Sequence, residues 1–308
     1  MAILVSSSPL PAQPFVDALR ALAPGVAVWS EADEVPADRV EALLAWRLKP
    51  GAVARYPRLR VLCSVGAGAD KLLVDDLPPQ VAVTRVVDPW QAREIAQYVL
   101  ACTLRFTREL PLYELQQARA EWRRHPVRPA SRCRVGVLGF GAVGQAIARA
   151  FEPLGYEVAG WARHAREWPG ATVYGGPEGL PRLLARSDIL VCALPLTADT
   201  RGLLDGAALR LLPRGAYLVN VGRGEHVVEA DLHGLLDEGH LAGAALDVFE
   251  REPPKPEHWV WQHPRVLATP HIAAQASVET VVQQCLEAWQ RARDGAPQPN
   301  AVDRRAGY

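Results

Sequence analysis

Net charge is the first thing this sequence lacks. Its 34 Lys and Arg residues are matched by 34 Asp and Glu. No excess of basic charge is available to hold nucleic acid or an anionic membrane, and binding of either kind rests on such an excess. A local basic pocket for a phosphate remains compatible with the balance. Cysteine is also scarce: five in 308 residues, with no CxxC. That excludes a disulfide framework and a paired-cysteine zinc site, and no metal is expected. Cys63, Cys133 and Cys192 lie in apolar, strand-like runs, and all five are expected as small buried hydrophobes in a reducing compartment. Long apolar runs are missing too. The longest, around Ile95–Phe106, is interrupted by Gln97, Thr103 and Arg105, which is too short and too polar for a bilayer span. The opening MAILVSSSPLPAQPF has no basic n-region and only a brief apolar run. It is not a secretory signal, and a cytosolic protein is expected.

What is present is enough apolar material for a large core: 49% hydrophobic residues against 22% charged. The length predicts two domains. Short apolar runs alternate with helical patterns throughout, the rhythm of α/β architecture with largely parallel sheets. In the first hundred residues Ala2–Val5, Val26–Trp29, Ala42–Trp46, Arg60–Val65 and Val81–Val86 read as strands, with Phe15–Leu22 among the amphipathic segments between them. A helical stretch from about Gln91 to Glu121, broken near Pro111, leads to an exposed connector, Arg123-Arg124-His125-Pro126-Val127-Arg128-Pro129. A second α/β unit begins at Arg132, with strands at Arg134–Leu138, Glu157–Trp161, Ile189–Ala193, Ala216–Val221, Gly243–Val248 and Val266–Ala268. The last helix, Val278 to Ala292, carries Val278, Val281, Val282, Cys285, Leu286 and Trp289 on one face, a stripe that requires a partner surface. Gly295 is its expected stop.

The first strand of the second unit runs directly into Gly139-Phe140-Gly141-Ala142-Val143-Gly144. A GxGxxG between strand and helix is a dinucleotide-binding turn. Gly139 permits the tight turn, Gly141 lets backbone approach a pyrophosphate, and Gly144 lets helix and strand pack closely. The helix N-terminus adds free N–H groups and a positive dipole end. The next strand selects the dinucleotide. A site for NAD places a carboxylate at that strand's tip, on the ribose 2′-hydroxyl. Here the tip reads Trp161-Ala162-Arg163-His164-Ala165-Arg166, with no carboxylate. A guanidinium pairs with a 2′-phosphate that a carboxylate would repel. NADPH/NADP is therefore the expected cofactor, with NADH at lower affinity; the plain alternative is an ordinary exposed Arg163.

Three further segments end strands with unusual polar residues, at the crevice position of an open α/β sheet. Val219-Asn220-Val221-Gly222-Arg223-Gly224 sets an arginine between glycines. Leu246-Asp247-Val248-Phe249-Glu250-Arg251-Glu252-Pro253 sets acidic groups before a proline. Ala268-Thr269-Pro270-His271 sets a histidine behind one. These groups suit reduction of a 2-oxoacid. Histidine titrates near neutrality and serves as acid or base. A carboxylate partner favours its charged form and fixes its tautomer. An arginine fork matches the substrate's carboxylate and carbonyl oxygens. Singly, each has a structural reading as a core histidine, a surface ion pair or a turn cap; together, at successive strand ends, they read as catalytic.

With those residues in view, the chain resembles the D-isomer-specific 2-hydroxyacid dehydrogenases. The matching pieces are VGVLGFGAVGQAIA, VNVGRGEHVVEADL, AGAALDVFEREPP and LATPHIAA, in the family's order, with Ser64-Val65-Gly66-Ala67-Gly68-Ala69-Asp70 in the first unit. Within the family the resemblance is to the glyoxylate/hydroxypyruvate reductase A branch, through Leu44-Ala45-Trp46, Trp161-Ala162-Arg163 and the terminal Val302–Tyr308. It departs at Gln97, where many relatives carry an acidic residue.

The resemblance implies two Rossmann/flavodoxin-like doubly wound domains with an interdomain active-site cleft. The substrate-binding domain would be discontinuous, 1–99 plus 276–308, and the NADP(H)-binding domain would be 100–275. It implies His271 as general acid/base, Glu252 as its partner, Arg223 as substrate clamp, and backbone amides of Val65, Gly66 and Ala67 on the substrate carboxylate. The expected cofactor contacts are Gly139, Gly141, Ala142, Val143, Gly144, Trp161, Arg163, His164, Leu194, Pro195, Val221, Gly222 and Asp247, the last placed to meet the nicotinamide carboxamide. Trp46, one of nine tryptophans, would wall the substrate pocket or serve as a core aromatic. Trp90 would border the cleft. A homodimer is implied, built largely by the second domain, with Trp122 reaching the neighbouring subunit. The activity so implied is NADPH-dependent reduction of small 2-oxoacids, glyoxylate to glycolate and hydroxypyruvate to D-glycerate. Two alternatives stand beside it: an NAD-dependent D-2-hydroxyacid dehydrogenase for a larger substrate, and a non-catalytic dinucleotide-sensing binding protein.

Overall fold

Strands rich in Val, Leu, Ile and Ala, each followed by an amphipathic segment, fold as parallel sheets covered on both faces. The computed structural model describes residues 2–307, in two units: one runs to Asp88 and resumes at Gln275, the other spans Pro89–Ala274.

The first unit contains β1 (Ala2–Ser6), α1 (Gln13–Leu22), β2 (Ala27–Ser30), β3 (Val40–Ala45), β4 (Val61–Ser64) and β5 (Ala82–Thr84). Its sheet has the order β2-β1-β3-β4-β5, parallel throughout, which is the flavodoxin-like winding.

The second unit opens with α2 (Pro89–Thr107) and α3 (Leu110–Ala118). The break between them falls at Arg108–Glu109, where Glu109 takes φ +53°. Pro111 does not interrupt a helix; it sits in the first turn of α3, where its missing N–H has no intrahelical partner to lose. The sheet elements follow as β6 (Arg134–Leu138), α4 (Ala142–Phe151), β7 (Glu157–Ala162), β8 (Arg166–Trp168), β9 (Ala171–Gly175), α5 (Gly176–Arg186), β10 (Ile189–Cys192), α6 (Gly206–Arg210), β11 (Ala216–Asn220), α7 (Glu229–Asp237), β12 (Leu241–Leu246) and β13 (Val266–Ala268). Their order is β13-β12-β11-β10-β6-β7-β9-β8, parallel except for β8 against β9. The winding reverses between β6 and β10, the switch point of a dinucleotide-binding fold. The β8–β9 hairpin has no counterpart in the sequence reading, because Arg166-Glu167-Trp168 shows no apolar alternation.

The unit boundary expected at residue 99 lies at Asp88. The reason is helix α2, whose Ala96, Val99 and Cys102 belong to the core that also holds Ile147 and Phe151 of α4. The last helix, α8 (Val278–Asp294), lies in the first unit. Its Val281, Val282, Cys285, Ala288 and Trp289 pack with Ile3, Ala42, Leu44 and Cys63. The Trp289 indole N–H donates to the buried Glu41 carboxylate at 3.1 Å, so the one charge in β3 is partnered rather than stranded. Ser277 caps the helix by accepting from Thr280 N–H, and Gly295 ends it at φ +68°. All five cysteines are buried free thiols. Among the described residues no helix is long and apolar enough to cross a membrane. Of the terminal segment, Tyr308 lies outside the described residues.

Candidate active site

Because the strands β7, β6, β10, β11, β12 and β13 run parallel, everything that follows their C-terminal ends shares one edge of the second unit. The glycine loop, Trp161–His164, Leu194–Pro195, Val221–Arg223, Asp247–Glu252 and His271 all lie there.

The glycine loop is shaped by contacts that leave no room for side chains. Gly139 takes φ +89°, and a Cβ on it would lie 2.5 Å from Ala193 O. A Cβ on Gly144 would lie 2.0 Å from Gly139 O, so the helix start presses directly on the turn. A Cβ on Gly141, by contrast, would meet nothing within 4 Å beyond its own chain neighbours, and no side chain caps the N-terminus of α4 that begins at Ala142. Val143 packs against the core while Ala142 faces outward. An open approach to uncapped helix N–H groups fits a pyrophosphate. Between the glycines, Phe140 is 1% exposed, its ring set where a Cβ on Gly160 would collide at 2.1 Å. Its carbonyl accepts from Gln145 Nε2 at 3.2 Å and from the Arg166 guanidinium.

At the tip of β7, Trp161 spends its indole N–H on Gly176 O at 2.8 Å. Arg163 and His164 follow as exposed residues, with no carboxylate at the tip. A 2′-phosphorylated dinucleotide would find its polar partners at Arg163 and His164 rather than at the Trp161 indole N–H, which is used internally.

Leu194–Pro195 and Val221–Arg223 are tied together by a residue the sequence reading did not anticipate. His226 is fully buried. Its Nδ1 accepts from Arg223 N–H at 3.0 Å, and its Nε2 lies 3.3 Å from Pro195 O. The first bond places the ring proton on Nε2, which donates to the carbonyl. Asn220 closes the same loop, accepting from Gly222 N–H and donating to Arg223 O. The available signal was position, since both flank Arg223 in Asn220-Val221-Gly222-Arg223-Gly224-Glu225-His226. A Cβ on Gly224 would lie 1.8 Å from Phe249 C, so the arginine loop rests on the backbone leading to Glu252. Arg223 itself donates from one guanidinium nitrogen to Gly222 O at 2.8 Å.

His271 Nδ1 lies 3.1 Å from Glu252 Oε2, both side chains about a quarter exposed. Glu252 Oε1 accepts from Phe249 N–H at 3.2 Å. The carboxylate therefore holds the Nδ1 proton of the ring and leaves Nε2 for chemistry, as an orienting acid does for a catalytic imidazole. His271 takes φ +55°, and its N–H donates to Asp247 O at 2.9 Å. Asp247 is 1% exposed, and its carboxylate accepts from Thr269 Oγ1, Ile272 N–H and Ala273 N–H.

In the first unit, Val65 N–H donates to Ala45 O and Gly66 N–H to Ser64 Oγ, both at 3.1 Å. Two of the three amides expected on a substrate carboxylate are thus engaged within the unit, and Ala67 N–H makes no hydrogen bond among the described residues. Trp46 stands against this loop, 3.8 Å from where a Cβ on Gly66 would be. Trp90 is 69% exposed, with the Arg93 guanidinium 4.8 Å above its ring.

Away from that edge, Asp237 oxygens lie 3.5 Å from Nε2 of both His233 and His263. Arg265 N–H donates to Nδ1 of His263. That leaves the proton on Nε2, where an ion would need the lone pair.

Residues 100–273 match the D-isomer specific 2-hydroxyacid dehydrogenase, NAD binding domain, family. The chain belongs to the D-isomer-specific 2-hydroxyacid dehydrogenase family. It is 33% identical over 293 residues to a glyoxylate/hydroxypyruvate reductase A of Klebsiella pneumoniae, covering 92% of this chain and 93% of that one. Among solved structures, a D-isomer specific 2-hydroxyacid dehydrogenase of Xanthobacter autotrophicus in complex with NADPH and MES is 40% identical, with a TM-score of 0.92 over 100% of this chain and 99% of that one. An NADPH-dependent glyoxylate/hydroxypyruvate reductase of Sinorhizobium meliloti, in complex with NADP and sulfate, is 35% identical, with a TM-score of 0.91 over the same shares. As a member of that family the protein is an oxidoreductase of the 2-hydroxyacid dehydrogenase class, and the edge just described belongs to its dinucleotide-binding domain.

Proposed function

We propose that the protein reduces small 2-oxoacids with NADPH, glyoxylate and hydroxypyruvate foremost. The observation that carries this reading is the His271–Glu252 pair at 3.1 Å, on the same sheet edge as an open glycine loop. Bound at that edge, NADPH supplies the hydride. The chain supplies the rest. His271 donates a proton from Nε2 to the keto oxygen as negative charge develops there, and Glu252 keeps the ring in the tautomer and orientation this needs. Arg223 pairs its planar fork with the substrate carboxylate; the Asn220 and His226 bonds hold its loop for that task. Gly139 and Gly144 shape the turn, Gly141 lets the phosphates approach backbone, and Arg163 with His164 receives the 2′-phosphate. Complexes of the Xanthobacter and Sinorhizobium relatives with NADPH or NADP support the cofactor. The name of the Klebsiella relative supports the substrates.

The protein acts as a homodimer in this reading. Leu110, Leu112 and Leu115 of α3, with Trp122 and Val127 beyond it, are exposed apolar residues in one segment, and Trp122 is 96% exposed. Exposed apolar side chains in such number are covered in a working assembly.

The test is NADPH oxidation followed by its near-ultraviolet absorbance with glyoxylate, hydroxypyruvate, pyruvate and phenylpyruvate. Turnover highest with the first two supports the reading. Turnover with phenylpyruvate and NADH instead favours a larger-substrate NAD enzyme, and NADPH binding without turnover favours a sensor. Arg163→Ala raises the KM for NADPH about tenfold, the worth of one charge-assisted pair, and leaves that for NADH near its starting value.

A further inference from the structure

A chain of hydrogen bonds reaches the histidine loop from a helix far away in sequence. Tyr98 Oη lies 2.6 Å from Thr269 Oγ1, and Thr269 Oγ1 lies 2.6 Å from Asp247 Oδ1. Asp247 also takes Ile272 N–H on Oδ1 and Ala273 N–H on Oδ2, each at 2.8 Å, so it acts as an ionised acceptor. The directions follow. A carboxylate has no proton to give, so Thr269 donates to it; the single threonine proton is then spent, so Tyr98 donates to Thr269. Burial pushes the Tyr98 hydroxyl far above its ordinary range, which keeps it a donor. Tyr98 stands on α2, whose neighbouring Ala96, Val99 and Cys102 are fixed in the core.

What this chain holds is the backbone on either side of His271. Thr269 precedes the histidine by two residues; Ile272 and Ala273 follow it. His271 at φ +55° is in a region that side-chain-bearing residues occupy only under constraint, and its own N–H is held by Asp247 O and Thr269 O. None of these contacts involves the imidazole, so each acts on where the ring stands.

We infer that Tyr98 and Thr269 are positioning residues that work through the Asp247 carboxylate to fix the His271 loop, a role that rests on the reaction proposed above. Misplacing a catalytic group by a fraction of a bond length costs rate while leaving cofactor binding alone.

The experiment uses the full chain with Thr269→Val, which keeps shape and removes the hydroxyl, Thr269→Ser, which keeps the hydroxyl, and Tyr98→Phe. With NADPH and glyoxylate, kcat falls about 10- to 100-fold in Thr269→Val and about threefold to tenfold in Tyr98→Phe. Thr269→Ser retains most of it, and the KM for NADPH stays within about twofold in all three. Hydrogen exchange at the Ile272 amide, read by NMR, accelerates in the same order. Wild-type kcat in Thr269→Val overturns the inference, and so does an equal loss in Thr269→Ser, which would mark simple packing. Should Thr269→Val fold poorly, Tyr98→Phe against Thr269→Ser decides. If the wild type reduces no 2-oxoacid, the proposed reaction has failed; the exchange series still upholds the brace, or sinks it if Ile272 is unaffected.

Discussion

The glycine loop after β6 and the histidine loop after β13 leave the same edge of one sheet and are held by opposite means. The first is defined by missing atoms. Side chains at Gly139, Gly144 or Gly160 would strike Ala193 O, Gly139 O or the Phe140 ring at 2.0–2.5 Å. The second is defined by buried polar partners: one carboxylate gathers a hydroxyl and two amides around His271. A loop held by exclusion tolerates almost no added volume and depends less on any single polar side chain. A loop held by a network behaves in the reverse way.

The sharpest break of this comparison is at the histidine itself. His271→Gln keeps volume and a polar tip but removes the imidazole proposed as proton donor, so kcat falls about 10²- to 10⁴-fold, the usual worth of a general acid. The KM for NADPH holds, because the glycine loop is untouched. A large rise in that KM would show that the two loops are not independently held.

The second break tests exclusion. Gly160→Ala places a methyl group where the Phe140 ring stands, 2.1 Å from its nearest carbon. Overpacking of this kind costs about 1–3 kcal/mol, and here it pushes on the loop, so NADPH binding weakens together with thermal stability. Phe140→Ala removes the Cγ, Cδ2 and Cε2 atoms that the methyl group would strike, so the double variant loses less of both than the two single losses added together. Additive losses in calorimetry and cofactor titration would mean that Phe140 and Gly160 do not share the space.

The same contrast explains what could be read from the chain. Parallel strands covered on both faces are continuous apolar runs, so the strands that begin at Ala2, Arg134 and Ile189 stood out. Glycines forced by close approach stand out for a related reason, since the constraint deletes the side chain from the sequence itself. The β8–β9 hairpin did not, because Arg166 and Glu167 are exposed and leave no periodic signal. The boundary was placed late because α2 reads as a helix whichever unit it packs on. Arg223, Glu252 and His271 were legible as strand-end polar residues. Tyr98 was not: its partner Thr269 is 171 residues away, and a tyrosine in an amphipathic helix looks like any other.

The smallest expected effect lies at the opposite edge of the sheet, where neither exclusion nor a catalytic task applies. Asp188, just before β10, accepts from the Arg134 backbone N–H and pairs with the Arg134 and Arg128 guanidinium groups at 2.9 and 2.8 Å. Burial alone would raise its carboxyl, but the Arg134 and Arg128 bonds outweigh burial and hold it below the usual 3.8. The unfolded chain therefore takes up the proton first as pH falls. The stabilisation is complete above about pH 4 and is lost as pH drops through the lower folded value. Both arginines are 40% or more exposed, so solvent screening limits the effect, and Asp188→Asn costs about 1 kcal/mol at neutral pH. The stabilities from urea unfolding of the two proteins should differ by that amount at about pH 7 and converge as pH falls through the lowered folded value. A gap that persists undiminished into acid would mean that Asp188 acts through its shape and neutral hydrogen bonds. This edge would then be held without charge, unlike the carboxylate-centred loop around His271.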